Sequence, residues 1–255
     1  MGLLKTTGIV TKTRKYSETS LIATIITKDF GRISAIANNV RTSKSRMLMG
    51  LQLFAYSEIV VYESRSKTGL YKLNEMTVLE SFGGIRNSLE KLAYASYFAE
   101  VTNAAVPEGD PEEEILQLFL NTLFALDRDL CHFEKIKAVF EWRIAAISGY
   151  EPRVEGCCVC EKSDGDFLFD IAKGDCFCPE CKGEETGCAM LSSSMRKVIG
   201  YISEAESKKI FSFDAGEKAI KYLGDLGERY IETQLERQFA TLEYLKKVIG
   251  LEQLQ

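Results

Sequence analysis

Apolar side chains change their spacing once along this chain, from every second position before residue 80 to every third or fourth after residue 82. In the first stretch Leu21, Ala23 and Ile25 alternate onto one face, as do Phe54 and Tyr56, then Val60 and Tyr62 across Glu58. Runs rich in β-branched and aromatic residues at Gly8–Thr13, Thr19–Thr27, Ile33–Ala37, Leu53–Tyr62 and Tyr71–Glu80 predict five short strands. Turn signals separate them, among them Lys28-Asp29-Phe30-Gly31-Arg32 and Ser64–Gly69. Five short strands in so few residues predict a small closed barrel, and the OB-fold is the common five-stranded solution.

Beyond Phe82-Gly83-Gly84 the helical period takes over. Ile85, Leu89, Leu92, Tyr97 and Val101 predict one helix. Asp110-Pro111-Glu112-Glu113 predicts the start of the next, with Asp110 as N-cap and Pro111 in its first turn. Phe133, Ile136, Phe140, Ile144 and Ile147 predict a third, ended by Ser148-Gly149. Ser192–Ser194 reopens helix, and Asp214-x-x-Glu217 is expected to cap a long final one striped by Ile220, Leu223, Leu226, Tyr230, Leu235, Phe239, Leu242 and Leu245. The expectation is an α+β multidomain chain: an OB-fold nucleic-acid-binding domain over 1–80, then a helical domain over 81–255 with a zinc-binding insertion at about 154–188. No stretch approaches the roughly twenty apolar residues of a membrane helix.

That insertion is marked by chemistry. Four of the eight cysteines form two Cys-x-x-Cys pairs, Cys157/Cys160 and Cys178/Cys181, with seventeen residues between them. A tetrahedral zinc ion needs four thiolates, and two short knuckles joined by a loop deliver them. A closed shell of four sulfurs leaves no position for water, so one structural Zn2+ is expected. Cys158 or Cys176 could shift the ligand set, and Cys188 is a fifth candidate; Cys131 reads as a small buried hydrophobe in a helix. The opening MGLLKTTGIV does not read as a secretory leader, which predicts a reducing compartment and disfavours disulfides.

The net charge of −5 hides an asymmetry: residues 1–80 hold twelve Lys/Arg against six Asp/Glu, so the rest of the chain is strongly acidic. A basic first segment points to a polyanion. Arg41-Thr42-Ser43-Lys44-Ser45-Arg46 supplies interleaved donors suited to phosphate oxygens. Arg14 and Lys15 lie in the first hairpin, Arg32 in the second turn, and Arg65 and Lys67 in the fourth. Tyr16, Phe30, Tyr56 and Tyr71 offer stacking faces, most of them expected in the core. Enzyme signatures are scarce: neither phosphate-loop nor dinucleotide glycine motif occurs, and His132 is the only histidine. The acids at Glu112–Glu114 are explained by a helix N-terminus. The pattern is that of a binder, with a zinc-stabilised RNA-binding or regulatory module as the alternative.

Gly8-Ile9-Val10, Tyr16-x-Glu18-Thr19-Ser20, Phe30-Gly31-Arg32-Ile33, Lys44-Ser45-Arg46 and Leu51-Gln52-Leu53-Phe54 resemble the amino-terminal domain of the bacterial RecO family. Ser148-Gly149-Tyr150-x-Pro152, followed by the four cysteines, resembles its later portion. The resemblance implies an OB-fold, a helical domain and a zinc-binding element in a cytoplasmic, nucleoid-associated bacterial protein. It further implies binding to single- and double-stranded DNA, annealing of complementary strands, and work with RecR to load RecA onto strands coated by single-strand-binding protein. It implies no nucleotide hydrolysis.

Overall fold

The computed structural model describes residues 2–41, 47–62, 69–181 and 187–252. Its first part consists of β1 (Leu3–Lys15), β2 (Leu21–Thr27), β3 (Gly31–Ala37), the one-turn helix α1 (Met47–Gly50), β4 (Tyr56–Tyr62) and β5 (Tyr71–Glu80). The strands close into a barrel in the order β1-β2-β3-β5-β4, with β4 pairing back onto β1. All ladders are antiparallel except β3–β5, which meets only at Ala35↔Tyr71 and Ile36↔Lys72. This is the five-stranded OB barrel that the alternation predicts.

β1 serves two neighbours, β4 through residues 3–9 and β2 through residues 8–15, and its register slips between Val10 and Lys12. A bulge of this kind bends a long strand enough to close a small barrel. Val10, Ala23, Ile25, Ile33, Ala35, Ala37, Ile59, Val61 and Leu73 fill the interior. Phe54 departs from the expectation. It sits at φ 67, its N–H donates to the Val10 carbonyl at 2.8 Å, and the strand expected from Leu53 begins only at Tyr56.

The remainder is α2 (Gly83–Arg86), α3 (Leu89–Ala105), α4 (Glu113–Asp127), α5 (Phe133–Ile147), β6 (Phe167–Asp170), β7 (Asp175–Phe177), β8 (Cys188–Leu191), α6 (Ser193–Glu204), α7 (Glu217–Gln234) and α8 (Ala240–Glu252). β6, β7 and β8 form a small antiparallel sheet in the order β7-β6-β8.

Four expected boundaries move, each for a local reason. The helix expected through Ile85 and Leu89 divides, because the Ser88 hydroxyl accepts the Lys91 N–H and starts α3 afresh. Asp110 does not cap α4. Its backbone lies against Gly31, where a Cβ would stand 2.1 Å from the Asp110 carbonyl oxygen; Gly31 also holds φ +58, so only glycine fits. Gly216, not Asp214, occupies the N-cap of α7. The long final helix breaks between α7 and α8, where Glu236 takes φ 49. Cys131 is half-buried and lies between α4 and α5 rather than in a helix.

Packing groups the chain into two compact units, Met1–Phe119 with Thr241–Gln255, and Leu120–Ala240. Residue 80, where a boundary is expected, ends β5 and lies within the first of these units. Within the first unit the Thr11 hydroxyl on β1 donates to Asn103 of α3 at 2.9 Å, and Glu100 of α3 accepts the Thr241 N–H at 2.9 Å, capping α8. Within the second, α5 lies along α7. There buried Lys137 bonds buried Glu141 (3.0 Å), half-buried Glu228 (2.8 Å) and the Gly224 carbonyl (3.2 Å). Burial works against the Lys137 ammonium, but the two carboxylates outweigh it and raise its pKa.

Candidate nucleic-acid interface and metal centre

Barrel geometry sorts the basic residues. Ala23, Ile25, Ala35, Ala37, Val61 and Leu73 point inward, so their strand neighbours point outward. Following the ladders, Arg14 pairs with Ile22, Ile22 with Ile36, Ile36 with Lys72, and Lys72 with Tyr62. This row faces away from the barrel interior on all five strands and carries a cation on β1, a cation on β5 and an aromatic on β4, with buried Ile22 at its β2 position. Lys12, also exposed, faces outward two positions before Arg14. Lys12 and Lys72 were not singled out by the sequence reasoning, although the alternation that places Arg14 outward places Lys12 beside it.

Arg14 and Lys15, both exposed, lead into the Tyr16–Ser20 turn, and Tyr16 is 62% exposed there. Arg41 reaches the same turn: its guanidinium donates to the Glu18 carbonyl at 2.8 Å and its backbone N–H to the Thr19 carbonyl at 3.0 Å. The structure thus gathers Arg14, Lys15 and Arg41 at one end of the first hairpin. Arg32 is not with them. β2 separates the two ends by about 20 Å, from six steps of about 3.4 Å. There Arg32 donates its N–H to the Pro107 carbonyl and lies 3.7 Å from Glu108, with its Nε buried and lacking an acceptor among the described residues. Its guanidinium faces Glu108, in the segment after α3. Phe30 and Tyr71 pack against the barrel core, and the Tyr56 hydroxyl donates to Thr7 at 3.1 Å. Lys44, Arg46, Arg65 and Lys67 lie outside the described residues.

The cysteine pairs come together although seventeen residues divide them. The sulfurs of Cys157, Cys160, Cys178 and Cys181 all lie within 4.8 Å of one another, and Cys160 and Cys178 are 3.7 Å apart. A tetrahedron with metal–sulfur bonds of about 2.3 Å has edges of roughly 3.8 Å, whereas a disulfide needs about 2.05 Å. The spacing therefore fits a shared ion, and all described cysteines are free thiols. Cys158, Cys176 and Cys188 stand outside the cluster.

Each knuckle is a turn closed by its own backbone. Glu161 N–H donates to the Cys157 carbonyl and Cys157 N–H to the Lys162 carbonyl, both at 2.9 Å; Cys181 N–H donates to the Cys178 carbonyl at 3.0 Å. Burial opposes the Cys157 thiolate, yet backbone N–H groups of Cys178, Cys160 and Val159 prevail and bring the thiol down to about 6. Hydrogen bonds with the crowded sulfurs of Cys178 and Cys160 push Cys181 up to about 12. Four sulfurs in that space lose their protons together only when a cation takes their place, so the donor set fits a thiophilic divalent ion. Cys176 is pushed up to about 12 by burial, which keeps it a thiol.

Behind the knuckles, Trp142 of α5 stacks on Tyr230 of α7 at 5.2 Å and meets Phe169 of β6 edge-on at 5.8 Å. The single tryptophan of the chain thus joins the cysteine-bearing sheet to two helices. His132, exposed at the N-cap position of α5, lies in neither site.

Together these parts define a class, that of OB-barrel proteins extended by a helical region with a four-cysteine cluster. Residues 1–82 match the family described as Recombination protein O N terminal, and residues 86–243 match Recombination protein O C terminal. The chain is 35% identical over 247 residues to the DNA repair protein RecO of Acetivibrio thermocellus, covering 96% of this chain and 97% of that one. It is 30% identical over 248 residues to the DNA repair protein RecO of Alkaliphilus metalliredigens, covering 96% and 100%. With the RecO of Moorella thermoacetica it shares 28% over 255 residues, covering 98% and 92%. The chain belongs to the RecO family, whose role lies in DNA repair and recombination. No helix among the described residues is long and apolar enough to cross a membrane.

Proposed function

We propose that this chain is a cytoplasmic recombination mediator that binds DNA, anneals complementary single strands and, with RecR, helps load RecA onto strands coated by single-strand-binding protein. The observation that carries the reading is the cationic end of the barrel, where Arg14, Lys15 and Arg41 gather beside exposed Tyr16 and continue outward through Lys12 and Lys72. Lys44, Arg46, Arg65 and Lys67, outside the described residues, are proposed as DNA-binding on charge alone. Two strands brought together repel through their phosphates; ammonium and guanidinium groups that neutralise both lower the cost of pairing. Tyr16 and Tyr62 offer faces on which unpaired bases stack without regard to sequence. The role is one of binding, with residues 1–80 as the nucleic-acid-binding part and 81–255 as the helical part holding the insertion at about 154–188.

In that insertion we assign Cys157, Cys160, Cys178 and Cys181 as ligands of one structural Zn2+. The ion supplies a cross-link between the two knuckles, and the chain's own part is to present four sulfurs through turns and β7. Metal is assigned to stability and charge to DNA.

Annealing of complementary oligonucleotides, bare and coated with single-strand-binding protein, tests the proposal. Accelerated annealing that falls steeply with salt is expected, each neutralised phosphate adding roughly −0.7 to the log–log slope for single strands. Ala at Arg14, Lys15 and Arg41 should weaken binding and flatten that slope. Annealing at the spontaneous rate, or tighter binding of matched RNA than of DNA, would overturn the assignment, the latter in favour of an RNA-binding module.

A further inference from the structure

We propose that Arg196 is the positioning residue of the first cysteine knuckle, holding its entry and exit together so that Cys157 and Cys160 face the other two sulfurs. The inference rests on the metal reading above.

Arg196 lies in the first turns of α6, its N–H bonded to the Ser192 carbonyl at 3.0 Å, and is only 5% exposed. One end of its guanidinium, Nη1, donates to the carbonyls of Val154 (2.7 Å) and Glu155 (3.0 Å). The other, Nη2, donates to those of Ser163 (2.7 Å) and Gly165 (3.0 Å). The first pair of carbonyls lies two and three residues before Cys157, and the second lies three and five after Cys160. One planar fork therefore closes the base of the loop that carries both ligands. The Phe167 ring lies 4.0 Å from the guanidinium carbon.

Two features set this apart from ordinary packing. Among the described residues no carboxylate pairs with Arg196, so its desolvation is offset by charge-assisted bonds to the knuckle's own backbone. The two knuckles are also held differently. Cys178 follows directly on β7, whose ladder with β6 fixes it. The first knuckle belongs to no strand; beyond its internal turn it is tied by Cys158 N–H to the Cys176 carbonyl at 2.9 Å, by the exposed Lys162–Glu180 ion pair at 3.3 Å and by the buried Arg196 fork. An ammonium cannot replace that fork, since lysine offers a point charge where four carbonyls need a flat, two-ended donor.

The full chain loaded with Zn2+, and separately with Co2+ as a spectroscopic probe, provides the test. Arg196→Met keeps the stem and removes every donor; release of Zn2+ to a chromophoric chelator should quicken by about 10–100-fold. The Co2+ absorption should show a distorted or incomplete thiolate shell, and Arg196→Lys should recover little of either. The control is Arg143→Met, which removes an arginine that donates to the Ile202 and Ser203 carbonyls at the other end of the same helix. Release unchanged in Arg196→Met, or equally fast in Arg143→Met at a matched loss of melting temperature, would overturn the inference and leave the metal reading standing. A wild-type chain that takes up no Co2+ would overturn both. If Arg196→Met does not fold, Arg196→Lys against Arg143→Met makes the same comparison.

Discussion

Replacing Gly227 with alanine sets two effects of opposite sign against each other. In the interior of α7, Gly→Ala favours the helix by about 1 kcal/mol. A Cβ at that position, however, would stand 2.9 Å from Glu141 Oε2, 3.2 Å from Glu141 Cβ and 3.3 Å from Trp142 Nε1. Glu141 cannot swing into water, being 1% exposed and bonded to Lys137. Breaking a buried pair by displacing one partner costs about 3–5 kcal/mol. The variant should therefore lose about 2–4 kcal/mol, and the sign belongs to the ion pair. Urea unfolding followed by Trp142 fluorescence reads this directly, because the only tryptophan lies against the altered contact. A second arm isolates the cause: in a Glu141→Ala background the carboxylate contact is gone and Lys137 keeps Glu228, while the contacts of 3.2 Å to the Cβ and 3.3 Å to Trp142 Nε1 remain, so Gly227→Ala should now cost much less than in the wild type. A single Gly227→Ala variant more stable than the wild type would refute the close approach of α5 and α7 described above.

Two further outcomes follow from the sites. Stripping metal with a chelator, or substituting Cys157→Ser with Cys160→Ser, should lower the melting temperature and shift Trp142 emission through Phe169 while DNA affinity measured by fluorescence anisotropy changes little; an affinity loss preceding the stability loss would move the DNA surface onto the knuckles. Arg32→Ala should leave the salt slope of DNA binding almost unaltered and cost barrel stability no more than about 0.5 kcal/mol, because the bond to Pro107 is made by the backbone N–H and persists while only the ion pair with exposed Glu108 is lost; a slope change equal to that of Arg14→Ala would return Arg32 to the interface.

The strands were legible because β-branched residues in period two leave a barrel as the economical way to bury one face of each. What escaped was local. Phe54 continues the apolar pattern, and nothing in its identity announces a positive φ. Glu236 breaks a helix in a stretch without glycine or proline, so the apolar stripe ran on across the break. Asp110 carries every mark of an N-cap but is taken up by a backbone contact with Gly31, 79 positions away in sequence. Ser88 caps a helix from the middle of an unbroken apolar stripe, where a serine is equally compatible with helix interior.

The candidate sites divide in the same manner. Thiolate chemistry is written in spacing, so the four cysteines stand out from eight. Arg32 matched its neighbours in charge, and only the fold shows its side chain turned toward Glu108. Arg196 is one of thirty-two Lys and Arg residues, and its four acceptors are backbone carbonyls, which no side-chain pattern reveals.

The bond from the Thr241 N–H to Glu100 spans 141 positions of sequence, and the unit it closes is discontinuous while Leu120–Ala240 is not. At a synthesis rate of about 5–20 residues per second, the Glu100 carboxylate waits roughly 7–28 s on the ribosome for its partner. In that interval the whole contiguous unit emerges, so the part of the chain made second can finish folding first. A nascent chain halted near residue 230 would carry a barrel whose final clasp has not yet been translated.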